Sequence, residues 1–247
     1  MSIASRTFRL TGKFIKFLFL LLIFAINAVL IWRLFSTSIP SSMKALSPNE
    51  SLAAAYEECG GELYAFSQEQ RSITSAEGNY GYFSIERATF IPSANQIQIV
   101  FRYNNSTLRH TEEDFSLDSP PSRDSEAYDV SLYVVTDNTP EDKSDNLYTD
   151  DYFAVSTHRI HPTYFEMEQT GLYNYRLFVF DLGELSLESL IENESLISVF
   201  ADVYFSGAID YDEKPYGTLC LFDYITETRT VKLSSADRKA IEGYLAG

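Results

Sequence analysis

The first 44 residues contain one long apolar stretch that lies between basic residues. Positions 17–32 read FLFLLLIFAINAVLIW, in which Asn27 is the only polar side chain. Adjoining apolar residues extend the stretch over 14–35, and at about 1.5 Å per residue this gives about 33 Å of helix, enough to cross a hydrocarbon core of about 30 Å. We therefore predict one transmembrane helix over 14–35 that contacts membrane lipid.

Basic residues around this stretch predict its orientation. Four precede it or lie at its start and two follow it: Arg6, Arg9, Lys13 and Lys16, then Arg33 and Lys44. The more basic side of a span stays in the cytoplasm, so residues 1–13 form a cytoplasmic tail and the rest of the chain lies outside. A cleaved signal peptide is the alternative, since Ser36 and Ser38 fit the small-residue rule for cleavage. The apolar run is longer than a signal sequence requires, which favours a retained single-pass signal anchor in the cell membrane.

Beyond the anchor, residues 36–47 are rich in serine and predict a short tether. The remaining domain, 48–247, is predicted to begin and end with a helix. Ser47 and Glu50 have the spacing of a capping box, and so do Ser234 and Asp237.

Most apolar residues between these helices alternate with polar ones, which is typical of half-buried antiparallel strands. In 96–103, for example, every odd-numbered residue is aliphatic or aromatic. The polar segments 104–125 and 137–151 are predicted to be loops. Seven segments are predicted to be strands: 83–91, 96–103, 128–136, 175–182, 197–206, 218–225 and 228–233. Short strands in this number predict a mainly β domain, an antiparallel two-sheet β-sandwich with short peripheral helices.

Residues 169–175 read QTGLYNY and resemble the strand F pattern of immunoglobulin domains, where a tyrosine corner precedes an inward cysteine. Tyr175 occupies the position of that cysteine, and the chain has no Cys–Trp–Cys framework. The resemblance therefore implies a loosely immunoglobulin-like sandwich and transfers no function.

Charge is distributed unevenly along the chain. Six of the 19 basic residues and none of the 35 acidic ones lie in 1–44, which leaves 13 against 35 in 45–247 and a formal charge of −22 there. A surface this acidic repels phosphate backbones, so nucleic acid is excluded as a partner. Basic partners, divalent cations and simple solubility are all compatible with it.

Two groups of acidic residues are candidate Ca²⁺ ligands. Loops converge at the ends of a sandwich, so carboxylates of one loop can meet those of another and bind a hard cation. Solvated loop acids explain the same pattern, and no EF-hand spacing is present, so no cofactor is required and Ca²⁺ is only a candidate. The candidate ligands are Asp150, Asp151, Asp210, Asp212 and Glu213.

The chain contains only two cysteines, Cys59 and Cys220. Outside the cytoplasm they are candidates for a disulfide, which would close a loop of about 160 residues and add about 4–5 kcal/mol in the chain-entropy model. Two separate thiols are the alternative. Neither cysteine has a motif typical of a nucleophile.

No motif of a known catalytic class is present in the sequence. We therefore expect a membrane-anchored, extracytoplasmic, non-catalytic interaction module, with a protein partner or a partner helix in the bilayer. Two alternatives stay open: an anchored enzyme that acts on envelope polymers, and a Ca²⁺-dependent adhesion or ligand-binding domain.

Overall fold

The computed structural model describes residues 3–74, 80–137, 160–183, 185, 196–208, 215–222 and 230–247. The chain divides into two compact units. The first consists of Met1–Ser38 and Thr170–Leu172, and the second of Ile39–Gln169 and Tyr173–Gly247.

The first unit is dominated by helix α1, Ile3–Thr37. Its segment Ile15–Thr37 contains an 18-residue window with a mean hydropathy of 2.5 and no buried residue, so it is long and apolar enough for one membrane span. Asn27 donates from Nδ2 to the carbonyl of Ile23 at 2.8 Å, so one of its amide N–H groups is bonded within its own helix. This bond offsets part of the cost of placing the side chain in lipid.

The second unit is mainly β, as predicted. Among the described residues nine strands are present: β1 Tyr64–Thr74, β2 Tyr80–Ile91, β3 Gln96–Asn104, β4 Tyr128–Asp137, β5 Tyr164–Gln169, β6 Tyr173–Asp181, β7 Leu196–Phe205, β8 Gly217–Phe222 and β9 Thr230–Lys232. The alternating segments of the sequence are confirmed as strands, whereas β1 and β5 escaped prediction.

The strands form two antiparallel groups. Five strands follow the order β1-β2-β3-β6-β5, and three follow the order β4-β7-β8. A single residue pair, Thr74 with Thr218, links β1 to β8, while β9 pairs with the start of β1. Leu132 of β4 also forms an isolated antiparallel bridge with Ile160. Ile160 lies four residues before the start of β5.

Side chains of both groups pack into one core. The apolar alternating residues of β3, β4 and β7 face inward, since all of them are buried in the same cluster. They are Ile97, Ile99, Phe101 and Tyr103; Val130, Leu132 and Val134; and Val199, Ala201, Val203 and Phe205.

The predicted loop over 104–125 is wrong in part, because helix α3 spans Asn105–Asp114. Asn104 is its N-cap, and the Asn104 side chain accepts from the backbone N–H of Ser106 and of Thr107. The helix buries Thr107 and Thr111 beside Leu108, so its inner face lacks the apolar stripe by which helices are recognised.

Helix α2, Glu50–Glu58, and helix α4, Ser235–Ala246, pack together at the edge of the unit. The capping box of Ser234 and Asp237 is confirmed, but α2 is capped by Asn49 and not by Ser47. Leu52 of α2 and Ile241 of α4 are both fully buried in one cluster, which we call the terminal cluster. Its buried members are Leu46, Leu52, Ala55, Tyr56, Leu63, Ala65, Ile91, Leu233 and Ile241.

The segment predicted to be a tether lies largely against the second unit. Met43 is fully buried with Val100, Tyr175 and Leu177. Ser47 donates from its backbone N–H to Gln98 Oε1 and accepts from Gln98 Nε2, both at 2.8 Å. The compact unit therefore begins at Ile39, before the predicted boundary at Pro48.

Tyr175, the residue in the place of the immunoglobulin cysteine, belongs to this small outer cluster. It does not lie in the core shared by the two strand groups. The immunoglobulin-like detail stays a prediction.

Candidate functional site

The acidic candidates for a Ca²⁺ site fall outside the described residues. Asp150, Asp151, Asp210, Asp212 and Glu213 all lie there, so a metal site built from them stays a prediction. Within the described part of the chain, no group of three or more His, Cys, Asp or Glu residues is placed to hold a metal ion.

The structure does not bring Cys59 and Cys220 together. Cys59 is exposed at the C-cap of α2, just before β1. Cys220 is half-buried in β8, which meets β1 at the far end, where Thr74 pairs with Thr218. The two cysteines are not joined by a disulfide here, and a disulfide requires Cα atoms within about 7 Å of each other.

One end of the core carries polar groups instead of apolar ones, and strand β6 supplies the first of them. Successive residues of a strand face opposite sides, so Asn174 and Arg176 share the inward face with Phe178 and Phe180. Only 1% of Arg176 is exposed. Its Nη2 donates to the carbonyl of Ser125 at 2.5 Å and, at a longer 3.5 Å, to the hydroxyl of Tyr103.

Arg176 is a buried positive charge without a nearby negative one. Among the described residues, no carboxylate lies within ion-pairing distance of its guanidinium. An arginine stays protonated in proteins, and a buried charge is costly unless it is paired or fully hydrogen-bonded. In the described part of the chain, this cation donates to one carbonyl and one hydroxyl.

Asn174 adds an unused donor beside it. The residue is 2% exposed, and its Oδ1 accepts from Arg123 Nε at 3.0 Å. Its Nδ2 is buried and has no hydrogen-bond partner in the described structure. We call Arg123, Asn174 and Arg176 the donor cluster.

A tight turn over 122–125 positions the outer part of the donor cluster. Ser125 donates to the carbonyl of Ser122 from its backbone N–H at 3.1 Å and from its hydroxyl at 2.7 Å. Asp124 accepts from Gln169 Nε2 at 2.5 Å, which fixes the turn to the end of β5. Arg123 is half-buried, so the donor cluster reaches the protein surface at its guanidinium.

Tyrosine hydroxyls line the inner side of this end. Tyr103 packs edge-on against Tyr128 with ring centroids 4.8 Å apart. The Tyr128 hydroxyl lies 2.6 Å from Thr111 Oγ1 of α3, and Tyr216 donates to Asp114 Oδ2 at 2.7 Å. Burial raises the pKa of Tyr128, although the Thr111 hydrogen bond acts the other way, and burial also raises the pKa of Tyr216. Both phenols therefore stay neutral at physiological pH.

An apolar strip lies next to the donor cluster on β5. Met167 pairs with Arg176 and Phe165 pairs with Phe178, so these side chains share a face with the inward residues of β6. The Phe165 and Phe178 rings are 6.2 Å apart. Phe165 and Met167 are nevertheless 42% and 37% exposed, because β5 is the last strand of its group.

The donor cluster is tied to neighbouring acceptors on the strands and on the turn. Arg123 donates to Asn174 Oδ1 and to the Tyr173 carbonyl, and Arg176 donates to the Ser125 carbonyl and the Tyr103 hydroxyl. Sequence reasoning missed these residues, because the opposite face of β6 is also apolar and the polar Asn174 and Arg176 read as solvent-facing.

Compared with protein-family models, curated proteins and solved structures, the chain matches none of them. Function is therefore inferred from its own residues.

Proposed function

We propose that this protein is a single-pass, membrane-anchored binding module whose folded domain lies outside the cytoplasm and is not catalytic. The observation that carries the proposal is α1. Its segment Ile15–Thr37 is 23 residues long and contains an 18-residue window with a mean hydropathy of 2.5, and its large apolar side chains are exposed. In water such a surface is strongly unfavourable, whereas lipid covers it at no cost.

Flanking charge supports the orientation. Arg6, Arg9, Lys13 and Lys16 lie on the N-terminal side, and only Arg33 and Lys44 follow closely on the other. Positive residues are retained in the cytoplasm, which puts the domain of formal charge −22 on the outer side.

Binding is favoured over catalysis by the character of the polar core end. The tyrosine hydroxyls there are held neutral, and the donor cluster presents fixed N–H groups. Such groups recognise a ligand; bond cleavage also requires a positioned base or nucleophile.

The sandwich arrangement is part of the proposal. Core residues from the five-strand group and from the three-strand group belong to one cluster, which supports two sheets packed face to face. The loosely immunoglobulin-like topology is supported only by the sequence pattern over 169–175.

The anchor and its orientation are tested with alkaline phosphatase fused after Gly247, a reporter that is active only outside the cytoplasm. We expect an active fusion that stays in the membrane pellet after carbonate extraction. A variant with Gln at positions 6, 9 and 13 should lose part of this activity, because it reverses the charge bias.

The matched control carries Gln at three exposed basic positions of the domain, Arg109, Arg238 and Lys239. Its activity should equal that of the unmodified fusion. A fusion inactive as phosphatase, or a protein released by carbonate, would overturn the proposal.

A further inference from the structure

The loop that joins β5 to β6 lies against the end of α1. Thr170–Leu172 belongs to the same compact unit as this helix. The Thr170 hydroxyl donates to the carbonyl of Ser36 at 2.7 Å, and Ser36 lies in the last turn of α1. This hydrogen bond fixes the loop to the helix end. We call Thr170–Leu172 the hairpin tip.

Gly171 allows the hairpin tip to approach the helix closely. A Cβ atom at this position would lie 3.0 Å from Ser36 Oγ and 3.9 Å from Trp32 Cζ2. A larger side chain would therefore press against α1 and push the hairpin tip away from it. The contact between the hairpin tip and the helix end thus depends on a residue without a side chain.

The end of α1 also marks where the chain leaves the hydrocarbon of the membrane. Leu34 and Phe35 are the last large apolar residues of the span, and they are 65% and 73% exposed. Trp32 is a side chain typical of the headgroup level. Ser36 follows Phe35 by about 1.5 Å along the helix axis. A loop bonded to the Ser36 carbonyl therefore lies at the level of the lipid headgroups.

The composition of the hairpin tip and its neighbours suits this level. Residues 169–175 read QTGLYNY and contain no charged side chain, although 45–247 carries a formal charge of −22. Leu172 is 37% exposed, so it presents apolar surface that the protein does not cover. Lipid covers such a surface favourably, and an uncharged segment is not repelled by anionic headgroups.

We propose that the hairpin tip is a second membrane contact, in which Leu172 inserts among the lipid headgroups of the outer leaflet beside α1. The inference names a surface that the anchored module uses, and it rests on the membrane anchoring proposed above. The contact holds the end of the β5–β6 hairpin at the bilayer surface. Its occupant is the lipid around the protein's own anchor.

Tryptophan fluorescence of the full chain in phosphatidylcholine nanodiscs tests this contact. Trp32 is the only tryptophan of the chain, so Trp32→Phe gives a background without tryptophan emission. Leu172→Trp in this background should emit at a shorter wavelength than an exposed tryptophan does. It should also lose fluorescence when the disc lipids carry brominated acyl chains, because bromine quenches tryptophan only at close approach.

Leu245→Trp in the same background is the matched control. Leu245 lies on α4 and is 41% exposed, close to the exposure of Leu172. Helix α4 packs with Ile91, which pairs with Gln96, and Gln96 pairs with Asp181 at the end of β6. That end lies about 26 Å along the strand from Tyr173. The control should show neither the shift nor the quenching.

Two outcomes of this measurement would overturn the proposal. Equal quenching of the Leu172→Trp and Leu245→Trp chains would show that contact with lipid is not specific to the hairpin tip. A Leu172→Trp chain with blue-shifted but unquenched emission would show that protein, either a second copy or another chain, covers Leu172 instead of lipid.

A second pair of variants avoids the preference of tryptophan itself for membrane interfaces. Leu172→Glu places a negative charge at the headgroup level. Its melting temperature, relative to the wild type in the same discs, should be about 2–4 °C lower in discs that contain phosphatidylglycerol than in phosphatidylcholine discs. Leu245→Glu should show no dependence on lipid charge.

Equal melting of Leu172→Glu in both kinds of disc, relative to the wild type, would overturn the proposal. Failure of both pairs in a chain that resists carbonate extraction removes the second contact and leaves the anchored module in place. A chain that carbonate releases overturns the anchored module and the second contact together.

Discussion

The two ends of the core are built from different chemistry although the same strands supply both. At one end Phe90, Ile97 and Phe180 are fully buried and entirely apolar. At the other end the same strands β3 and β6 place Tyr103 and Arg176, and β4 contributes Tyr128.

The two ends of the core therefore contribute differently to the free energy of unfolding. Apolar burial contributes about 25 cal/mol per Å² and is non-directional, so the apolar end stabilises the domain by area alone. The polar end contributes only as far as each donor finds an acceptor, and Asn174 Nδ2 finds none.

The largest expected effect lies at the apolar end. Phe180→Ala leaves a cavity where the ring was fully buried, and it should lower the free energy of unfolding by about 3–5 kcal/mol. Urea denaturation of the full chain in detergent measures it. Phe165→Ala, which removes a ring that is 42% exposed, should cost far less. Equal losses would show that the apolar end is not a packed core.

A smaller effect is expected from the hydroxyl pair at the polar end. Thr111→Val keeps the shape of the side chain but leaves the Tyr128 hydroxyl without its partner at 2.6 Å, and it should cost about 1–3 kcal/mol. Combining it with Tyr128→Phe removes both hydroxyls, so the double variant should be more stable than the two single losses predict. Strict additivity in this double-mutant cycle would show that the two hydroxyls do not interact.

Alkaline pH should weaken the polar end in a defined direction. The pKa of Tyr128 is raised in the folded state by burial, while the unfolded chain keeps a tyrosine pKa of about 10. The neutral phenol therefore stabilises the fold fully below about pH 10, and this contribution is lost as the pH rises through the raised folded-state pKa. Tyr128→Phe should show a shallower fall of the unfolding midpoint above pH 10 than the wild type. Parallel curves would contradict the assignment.

The smallest expected effect is that of Ca²⁺. Solvated loop acids remain the simpler explanation for Asp150, Asp151, Asp210, Asp212 and Glu213, so chelator should move the melting temperature by less than about 1 °C. A clear fall in the melting temperature on chelation, reversed by Ca²⁺, would show that bound Ca²⁺ stabilises the protein. It would also support the alternative of a Ca²⁺-dependent adhesion domain.

Strands whose inward residues are apolar can be predicted from the sequence. Elements whose buried face carries polar residues are missed. β3, β4 and β7 were found because their inward residues are apolar. β1 escaped because its sequence is polar and lacks a clear alternation of apolar residues, whereas its pairing with β2 is set by the partner strand.

Helix α3 and the donor cluster were missed for a related reason. The inner face of α3 is formed by Thr107 and Thr111 as well as Leu108, and it is stabilised by hydrogen bonds that only the folded chain reveals. Arg176 reads as a solvent-facing residue in sequence; its burial follows from the turn over 122–125, which local patterns do not predict.

The terminal cluster has a consequence for the order of events during synthesis. It joins Leu46 and Leu52, which leave the ribosome early, to Leu233 and Ile241, which leave it nearly 200 residues later. Until Ile241 has emerged from the ribosome, the part of the cluster that α4 covers stays exposed. An incomplete chain therefore presents apolar surface that is prone to aggregation until synthesis is nearly finished.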